Sequence, residues 1–332
     1  MRKIMWKKAV LVLAMAVAGS LCLGGCRLGK TEVVLTSELS GNEVFRVGSK
    51  TCSLAAAKVF MANYQNIYGT AYGVNLWSHD FGDNSLEQYI KDLTISQLAQ
   101  IMSMSLLAEE KEISLTKEEL EQVKKAAKAY YESLNKDEIK YMDVDKDCIT
   151  DLYRQYGLAN KLYAQLTVGI NEEISDDDAR VMEAYQIYVS TKESADAVTS
   201  GLKAGTDFLA LAGTYNEASQ IEVAFGRGDM PKEVEQIAFS LEPDVVSEAI
   251  ETEEGYYFIK CINNYNQELT DANKQVILDR RRQEAFDDVY EAFIETLPSK
   301  MNEELWDSIE VRVSDEIQTR SFFEVYEEYC RW

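Results

Sequence analysis

A serine, the only histidine of the chain and an aspartate follow one another at Ser78-His79-Asp80, and these residue types form the catalytic set of many hydrolases. In such enzymes the three side chains converge from different parts of the fold, because the histidine must reach both the nucleophile and the orienting acid. Three consecutive residues of an extended loop do not converge in that way. We therefore predict a surface loop anchored by Trp77. A single histidine also excludes any metal site built on several imidazoles.

Alternating aspartates at Asp143, Asp145 and Asp147 resemble the start of a calcium-binding EF-hand loop. The rest of that loop is missing, since Cys148 stands where glycine is needed and Arg154 stands where the bidentate glutamate is needed. Aspartate is also a favoured helix cap. We predict that Asp147 caps a long helix beginning at Cys148, and that no metal is bound.

The thiols and a glycine pair are the other residues that could take part in chemistry or in cofactor binding. Cys52, Cys148, Cys261 and Cys330 allow three complete disulfide pairings, and their spacing selects none of them. Buried free thiols are the alternative. The glycine pair at residues 226–228 lacks the third glycine of a dinucleotide-binding loop, and no Rossmann unit precedes it. The sequence therefore predicts no cofactor.

The first 26 residues have the pattern of a targeting segment. Basic residues open the chain, and Ala9–Leu23 is an apolar stretch too short for a stable membrane span. The stretch ends in Leu23-Gly24-Gly25-Cys26, which resembles a bacterial lipobox. The resemblance implies that residues 1–25 are a lipoprotein signal peptide and that Cys26 is lipidated, on a membrane face outside the cytoplasm. An ordinary secretory peptide is the alternative.

Strong negative charge limits the partners of the chain. The formal net charge is −23, and removal of the four basic residues that precede Cys26 would make it −27. Such a surface repels nucleic acid, so we predict no nucleic-acid partner. It would attract basic or unfolded cationic polypeptides, although a merely solvated surface explains the charge equally well.

Residues 184–261 carry the most regular pattern in the chain. Strand-like alternation, helix caps and turn signals predict the following elements: a strand from Tyr185 to Val189, a helix from Glu193 to Lys203 stopped by Gly205, a helix from Phe208 to Tyr215 capped by Asp207, a helix from Glu233 to Leu241 after Pro231, and a hairpin of Val245–Thr252 with Tyr256–Ile262.

The segments AYQIYV, DFLALA, FGRGDMP, IAFSL and GYYFIK occur in this order, and together they resemble the parvulin family of peptidyl-prolyl isomerases. The resemblance implies a four-stranded antiparallel sheet with helices. It also implies an apolar proline seat formed by Phe225, Met230 and Phe239, with Val234 at a position that is usually aromatic.

The polar positions of the family are altered in this chain. Gln186 and Tyr257 match positions where the family usually has histidine. Asn216 and Glu217 lie where a cysteine or aspartate is often found. Isomerisation requires better binding of the twisted amide than of the planar one, and therefore a preorganised polar group facing it. Glutamine and tyrosine form hydrogen bonds without the geometry of imidazole. Two interpretations follow: a binding domain that has lost catalysis, or an isomerase in which different polar groups face the amide.

Helical patterns flank this region. Ser85 with Gln88, and Thr116 with Glu119, are capping-box signatures, and the join AEEKEISLTKEEL resembles the foldase lobes of PrsA-like and SurA-like chaperones. Thr270 is predicted to cap a helix that runs to about Thr296. In the PrsA-like arrangement that helix returns to the N-terminal helices, so the lobe is built from both chain ends.

Smaller features leave alternatives or make minor predictions. Met102 and Met104 belong either to the core or to a client-binding surface. The aromatic C-terminal tail is expected to cap the core of the lobe, with client binding as the alternative. Short strands are predicted at Glu32–Thr36, at Val44–Val47 and within the segment SIEVRV that ends at residue 313.

The whole pattern predicts an α+β fold: a mainly helical chaperone lobe with an inserted parvulin-like domain. The expected divisions are a signal peptide at 1–25, the N-terminal lobe at 26–175, the parvulin-like domain at 176–266, and a C-terminal helix and tail at 267–332. The expected function is that of a membrane-anchored extracytoplasmic foldase that binds unfolded secreted polypeptides, with isomerase activity weak or lost. An active isomerase and an anchored adhesin or solute-binding lipoprotein are the alternatives, and homodimerisation stays open.

Overall fold

The computed structural model describes residues 39–70, 85–312 and 314–332. The predictions for residues 1–25, for the lipid anchor on Cys26, for the strand at Glu32–Thr36 and for Ser78-His79-Asp80 lie outside the described residues. Within these ranges no helix combines the length and the apolar character that a membrane crossing requires.

The chain forms two compact units. The helical unit comprises the described residues up to Val168 together with Ala285–Trp332, and the sheet unit comprises Gly169–Glu284. The elements, in chain order, are β1 (Glu43–Val47), β2 (Lys50–Ser53), α1 (Leu54–Thr70), α2 (Leu86–Glu110), α3 (Lys117–Ser133), α4 (Lys136–Met142), α5 (Lys146–Leu166), α6 (Asp176–Ala179), β3 (Met182–Val189), α7 (Lys192–Lys203), α8 (Phe208–Tyr215), β4 (Glu222–Phe225), α9 (Lys232–Ala238), β5 (Ile250–Glu251), β6 (Tyr256–Asn263), α10 (Gln267–Ile294), β7 (Ser299–Met301), α11 (Glu303–Asp307) and α12 (Phe322–Tyr329).

Side-chain caps begin several of these helices at the predicted residues. The Ser85 hydroxyl accepts from the Gln88 backbone, and Thr116 and Glu119 form a complete capping box at the start of α3. The prediction for α5 was wrong by two residues: Asp145 caps this helix, and its Oδ1 accepts from Cys148 N at 2.8 Å. Asp147 lies in the first turn, where its charge still favours the positive end of the helix dipole.

The helical unit packs α1 to α5 and the C-terminal segments around one apolar core. Met102 and Met104 are buried in this core, which decides between the two interpretations of these methionines. The predicted cap by the aromatic tail is confirmed: Phe322 of α12 is fully buried, and its ring centroid lies 4.3 Å from that of Tyr153 and 5.0 Å from that of Phe60.

A three-stranded sheet of order β2-β1-β7 joins the two ends of the helical unit, and its β1 confirms the strand predicted at Val44–Val47. The strand predicted within SIEVRV was wrong, because no strand forms over the described residues 308–312. Polar side chains bind this backbone instead of a neighbouring strand. Lys91 Nζ donates to Ile309 O at 2.7 Å, and Gln65 Nε2 donates to Arg312 O at 2.9 Å.

The sheet unit contains the predicted four-stranded antiparallel sheet, in the order β4-β3-β6-β5. Side chains alternate along β3 and β6, so each face of the sheet has its own apolar cluster. The front face, which we define by Ala184, Ile259 and Cys261, packs against α9, and the back face packs against α7 and α8. These observations confirm the α+β fold class.

The long helix α10 starts three residues before its predicted cap. The amide of Asn266 accepts from Leu269 N at 3.0 Å, so Asn266 caps the first turn in place of Thr270. Thr270 is fully buried, and its hydroxyl accepts from Val181 N at 3.1 Å. The prediction was wrong because this threonine serves a contact with a segment 89 residues earlier, which local sequence does not reveal.

Candidate functional site

Gln186 and Tyr257, the two residues at the family's histidine positions, lie on the front face of adjacent strands. Tyr188 of β3 is directly opposite Tyr257 of β6, and Gln186 is opposite Ile259. Gln186 and Tyr257 are therefore diagonal neighbours on one surface. The structure brings these two predicted residues together.

Gln186 forms hydrogen bonds within the fold through both its side chain and its backbone. It is buried, with 7% of its surface exposed, and its Nε2 donates to Gln220 O at 3.0 Å. Its backbone N donates to Ile221 O at 2.8 Å. Both groups therefore hold the loop at residues 216–221 against β3.

Asn216 holds the same loop from its other end. Its Oδ1 accepts from Tyr188 N at 2.9 Å and from Ala218 N at 3.3 Å. Its Nδ2 donates to Ala218 O at 2.9 Å and to Gln220 O at 3.4 Å. One amide thus satisfies four backbone groups, and the Gln220 carbonyl accepts from Asn216 as well as from Gln186.

Tyr257 is only partly buried, at the border of the front-face cluster. Its ring centroid lies 4.9 Å from that of Tyr188, with 44° between the ring planes. Burial, and then the neighbouring Tyr188 and Glu254, raise the pKa of the Tyr257 phenol. The phenol therefore stays protonated at neutral pH and is able to donate a hydrogen bond.

The four predicted seat residues belong to a single cluster on the front face. Phe225, Val234 and Phe239 are buried, with 3%, 0% and 9% of their surface exposed, while Met230 packs against them and is partly exposed. The rings of Phe225 and Phe239 meet edge to face at 5.7 Å. Three of the four residues are thus core, and only Met230 offers a partly open side chain.

Two guanidinium groups cover Phe239. Those of Arg180 and Arg227 lie 5.4 Å and 5.0 Å from its ring centroid. Arg227 is held in turn by a bidentate ion pair with Asp177, at 2.8 Å to each carboxylate oxygen. This arrangement stabilises the turn at residues 226–230 and closes the Phe239 ring against a ligand.

Tyr188 and Gly255 are the site residues that sequence reasoning missed. The Tyr188 hydroxyl donates to Glu254 O at 2.8 Å, and Gly255 lies in the turn beneath the tyrosine ring. The alternation in AYQIYV places Tyr188 on the same face as Gln186, two residues away, and that signal was sufficient to find it.

Within the described ranges no group of three or more His, Cys, Asp or Glu side chains is arranged to hold a metal ion. Cys52, Cys148, Cys261 and Cys330 are free thiols. Burial raises the pKa of Cys330 to about 12, and burial with the nearby Asp145 and Asp151 raises that of Cys148 to about 11. These thiols are therefore weak nucleophiles at neutral pH.

Comparisons with known proteins agree with this geometry. Residues 171–274 match the family model described as the PPIC-type PPIASE domain. A foldase protein PrsA of Halalkalibacterium halodurans is 42% identical over 84 residues, which cover 24% of this chain and 25% of that protein. A foldase protein PrsA of Caldanaerobacter subterraneus is 23% identical over 233 residues, which cover 61% of this chain and 70% of that protein.

Among solved structures, the peptidylprolyl isomerase PrsA from Bacillus cereus is similar at 22% identity and a TM-score of 0.40, over 75% of this chain and 96% of that one. The alignment with the Halalkalibacterium protein spans only a quarter of that relative's length. The predicted resemblance to PrsA-like parvulin foldases is confirmed, and the part of the chain that matches the PPIC-type PPIASE family model is residues 171–274.

Proposed function

We propose that the protein is a foldase of the cell envelope that holds unfolded secreted polypeptides, with prolyl isomerase activity weak or lost. On this proposal a lipid on Cys26 anchors the chain outside the cytoplasm, and the acidic surface attracts cationic clients. The PPIC-type domain and the PrsA relatives support the foldase role.

The observation that carries the proposal is the hydrogen bond from Gln186 Nε2 to Gln220 O at 3.0 Å. An isomerase needs a polar group that binds the twisted amide more strongly than the planar one. At the position where parvulins usually have a histidine, this chain has an amide one of whose two N–H groups already donates to its own backbone. That N–H cannot bind the twisted amide of the transition state unless it leaves Gln220 O, which would loosen the loop at residues 216–221.

The burial of the predicted proline seat supports weak rather than tight binding of polypeptide segments. Phe225, Val234 and Phe239 contribute to the core and leave little apolar surface for a ligand. Contacts through Met230 and neighbouring aromatic rings are shallow, so bound segments dissociate readily. Shallow contacts of this kind suit a holdase that works without ATP.

An active isomerase in which different polar groups face the amide is the second candidate, and one observation favours it. No hydrogen bond engages the Tyr257 hydroxyl among the residues that the structure describes, and its raised pKa keeps it a donor. A donor on the open border of the front face is able to approach a bound amide.

Proline-limited refolding of a model protein separates the two candidates. Under the proposal the full chain suppresses aggregation of the unfolded model protein but leaves the slow refolding phase, which takes tens to hundreds of seconds, unchanged. Met230→Ala should weaken the suppression, whereas Leu209→Ala, at an exposed apolar residue of α8, should not. Acceleration of the slow phase that Met230→Ala abolishes would establish the isomerase instead.

A further inference from the structure

The Tyr188–Tyr257 pair is a built feature of the front face. The two residues are direct cross-strand partners, and both rings are partly exposed. The backbone of the adjacent turn closes against the pair: Gly255 is buried and has φ +153°, and a Cβ on it would lie 2.9 Å from Tyr188 Cε2 and 2.5 Å from Val189 O. Only glycine permits this close approach.

The Tyr188 hydroxyl fixes the ring from its other end. It donates to Glu254 O at 2.8 Å, so the ring is anchored at its base by the strand and at its tip by the turn. A rigid aromatic surface binds with little loss of conformational entropy, because its side chains are already ordered before a ligand arrives.

Paired, partly exposed aromatic rings suit one kind of polypeptide segment. Proline-containing segments in the polyproline II conformation dock on aromatic-lined surfaces, since their backbone is extended before binding. Gln186 lies two residues before Tyr188 on the same face, and Tyr257 packs at the border of the front-face cluster, in a domain that matches the PPIC-type PPIASE family model. One N–H of Gln186 is used by the fold, whereas the rings of Tyr188 and Tyr257 keep an exposed surface.

Acidic residues predominate in the hairpin next to the pair. The hairpin at residues 245–256 contains four glutamates and an exposed turn with Glu253 and Glu254, but no lysine or arginine. Glu217 lies at the end of β3, where its Oε2 accepts from Ser190 N at 3.1 Å. The whole sheet unit contains 24 acidic residues and ten basic ones. A ligand with a lysine or arginine next to its proline complements this charge.

We propose that Tyr188 and Tyr257 form a recognition surface for proline-containing segments that carry a basic residue beside the proline, with Glu253 and Glu254 selecting that basic residue. The inference rests on the proposed function, because it names the class of segment that the foldase binds. Tyr188 is a specificity-determining residue in this proposal, and Gly255 positions it.

Fluorescence anisotropy of labelled decapeptides tests the proposal with the full chain. Four peptides differ only at two central residues: Lys-Pro, Ala-Pro, Glu-Pro and Lys-Ala. We expect Lys-Pro to bind best. Tyr188→Leu or Tyr257→Leu should weaken its binding about tenfold, as truncation of an aromatic anchor does. The double change Glu253→Gln with Glu254→Gln should reduce the preference for Lys-Pro over Ala-Pro about two- to fivefold, the range of exposed ion pairs.

Two further variants keep the test decisive if a leucine variant does not fold. Tyr188→Phe retains the ring and should retain peptide binding. Tyr185→Leu changes the same strand on the opposite face and should leave peptide binding unchanged.

Three results would overturn the inference: equal binding of Lys-Ala and Lys-Pro, equal effects of Tyr188→Leu and Tyr185→Leu, or self-association of the chain that depends on Tyr188. Each is separable from failure of the proposed function. A chain that still suppresses aggregation of a proline-free client remains a foldase without this selectivity.

Discussion

Asn216→Ala should destabilise the sheet unit, because one side-chain amide satisfies four backbone groups of the loop and of β3. The two hydrogen bonds at 2.9 Å, with Tyr188 N and Ala218 O, are the strong ones, and those at 3.3 Å and 3.4 Å are weaker. A net contribution of about 1 kcal/mol for a typical hydrogen bond gives a loss of about 2–3 kcal/mol.

Asn216→Asp separates the two halves of that amide. Aspartate keeps the oxygen that accepts from Tyr188 N and from Ala218 N but loses both donated bonds. We expect a loss of about 1–2 kcal/mol, below that of Asn216→Ala because the two accepted bonds remain; repulsion between the new oxygen and Ala218 O adds to this loss.

A double-mutant cycle with Gln186→Ala tests whether the two amides share a task. Both donate to Gln220 O, so either single variant leaves that carbonyl with one partner, and the double variant leaves it with none. We therefore expect the double variant to lose about 0.5–1 kcal/mol more than the sum of the single losses, as groups in one hydrogen-bonded network do.

Hydrogen exchange of the full chain measures these effects locally. A loss of 2 kcal/mol corresponds to about a 30-fold faster exchange from opened states, at about 1.4 kcal/mol per factor of ten. The acceleration should fall on the Tyr188 amide and on residues 216–221, with exchange in α3 of the helical unit as an internal control. A change below about 0.5 kcal/mol would refute the structural role; if the suppression of aggregation changed as well, Asn216 would act on a ligand instead.

Three further predictions concern other parts of the chain. Phe322→Ala should lower the stability of the helical unit by about 3–5 kcal/mol, since a fully buried ring is removed, while the half-buried Phe323→Ala should cost less; tryptophan fluorescence in urea reports both. Burial opposes ionisation of Glu119, but hydrogen bonds from Lys161 and Thr116 lower the pKa of its carboxyl group. The contribution of Glu119 to folding stability is therefore complete above the ordinary pKa of about 4.3 and is lost as the pH falls through the lowered pKa. Glu119→Gln should remove that part of the acid sensitivity when unfolding is measured from pH 3 to 6. Gly255→Ala should accelerate hydrogen exchange in the β5–β6 hairpin, because the new Cβ meets a carbonyl oxygen at 2.5 Å; unchanged exchange would contradict the close approach.

The sheet unit was predictable because its signals are local and agree with one another. Asp207 caps α8 through a hydrogen bond to Ala210 N, and Gly205 has the left-handed φ of +82° expected after a helix. Alternation along β3 and β6 defined the two faces. Each of these features depends on residues within a few positions of one another, which is the range that sequence patterns report.

The helix boundary near Asp145 was not predictable in the same way. Asp143, Asp145 and Asp147 are equivalent as caps by residue type, and the choice among them depends on the preceding helix. Asp143 ends α4 in the left-handed conformation, with φ +55°, so the chain is turned to begin α5 after Asp145.

The state of the candidate site was equally hidden from the sequence. The partner of Gln186 is a carbonyl 34 residues later, and the guanidinium groups that cover Phe239 come from Arg180 and Arg227. Residue types predicted which side chains share the front face. They did not predict which of them remain available to a ligand, because availability depends on long-range packing.

Whether the polar groups of this domain are free to bind a ligand decides between polypeptide binding alone and catalysis of isomerisation. Binding energy accelerates isomerisation only where it is larger for the twisted amide than for the planar one. Gln186 and Asn216 bind backbone groups that are present whether or not a ligand is bound, so their hydrogen bonds cannot supply that difference. In the proposed recognition surface, the rings of Tyr188 and Tyr257 would contact a proline equally in either amide geometry. On the proposed function, the polar groups serve the fold and the aromatic groups are left for a polypeptide ligand, as expected of a protein that holds polypeptides without isomerising them.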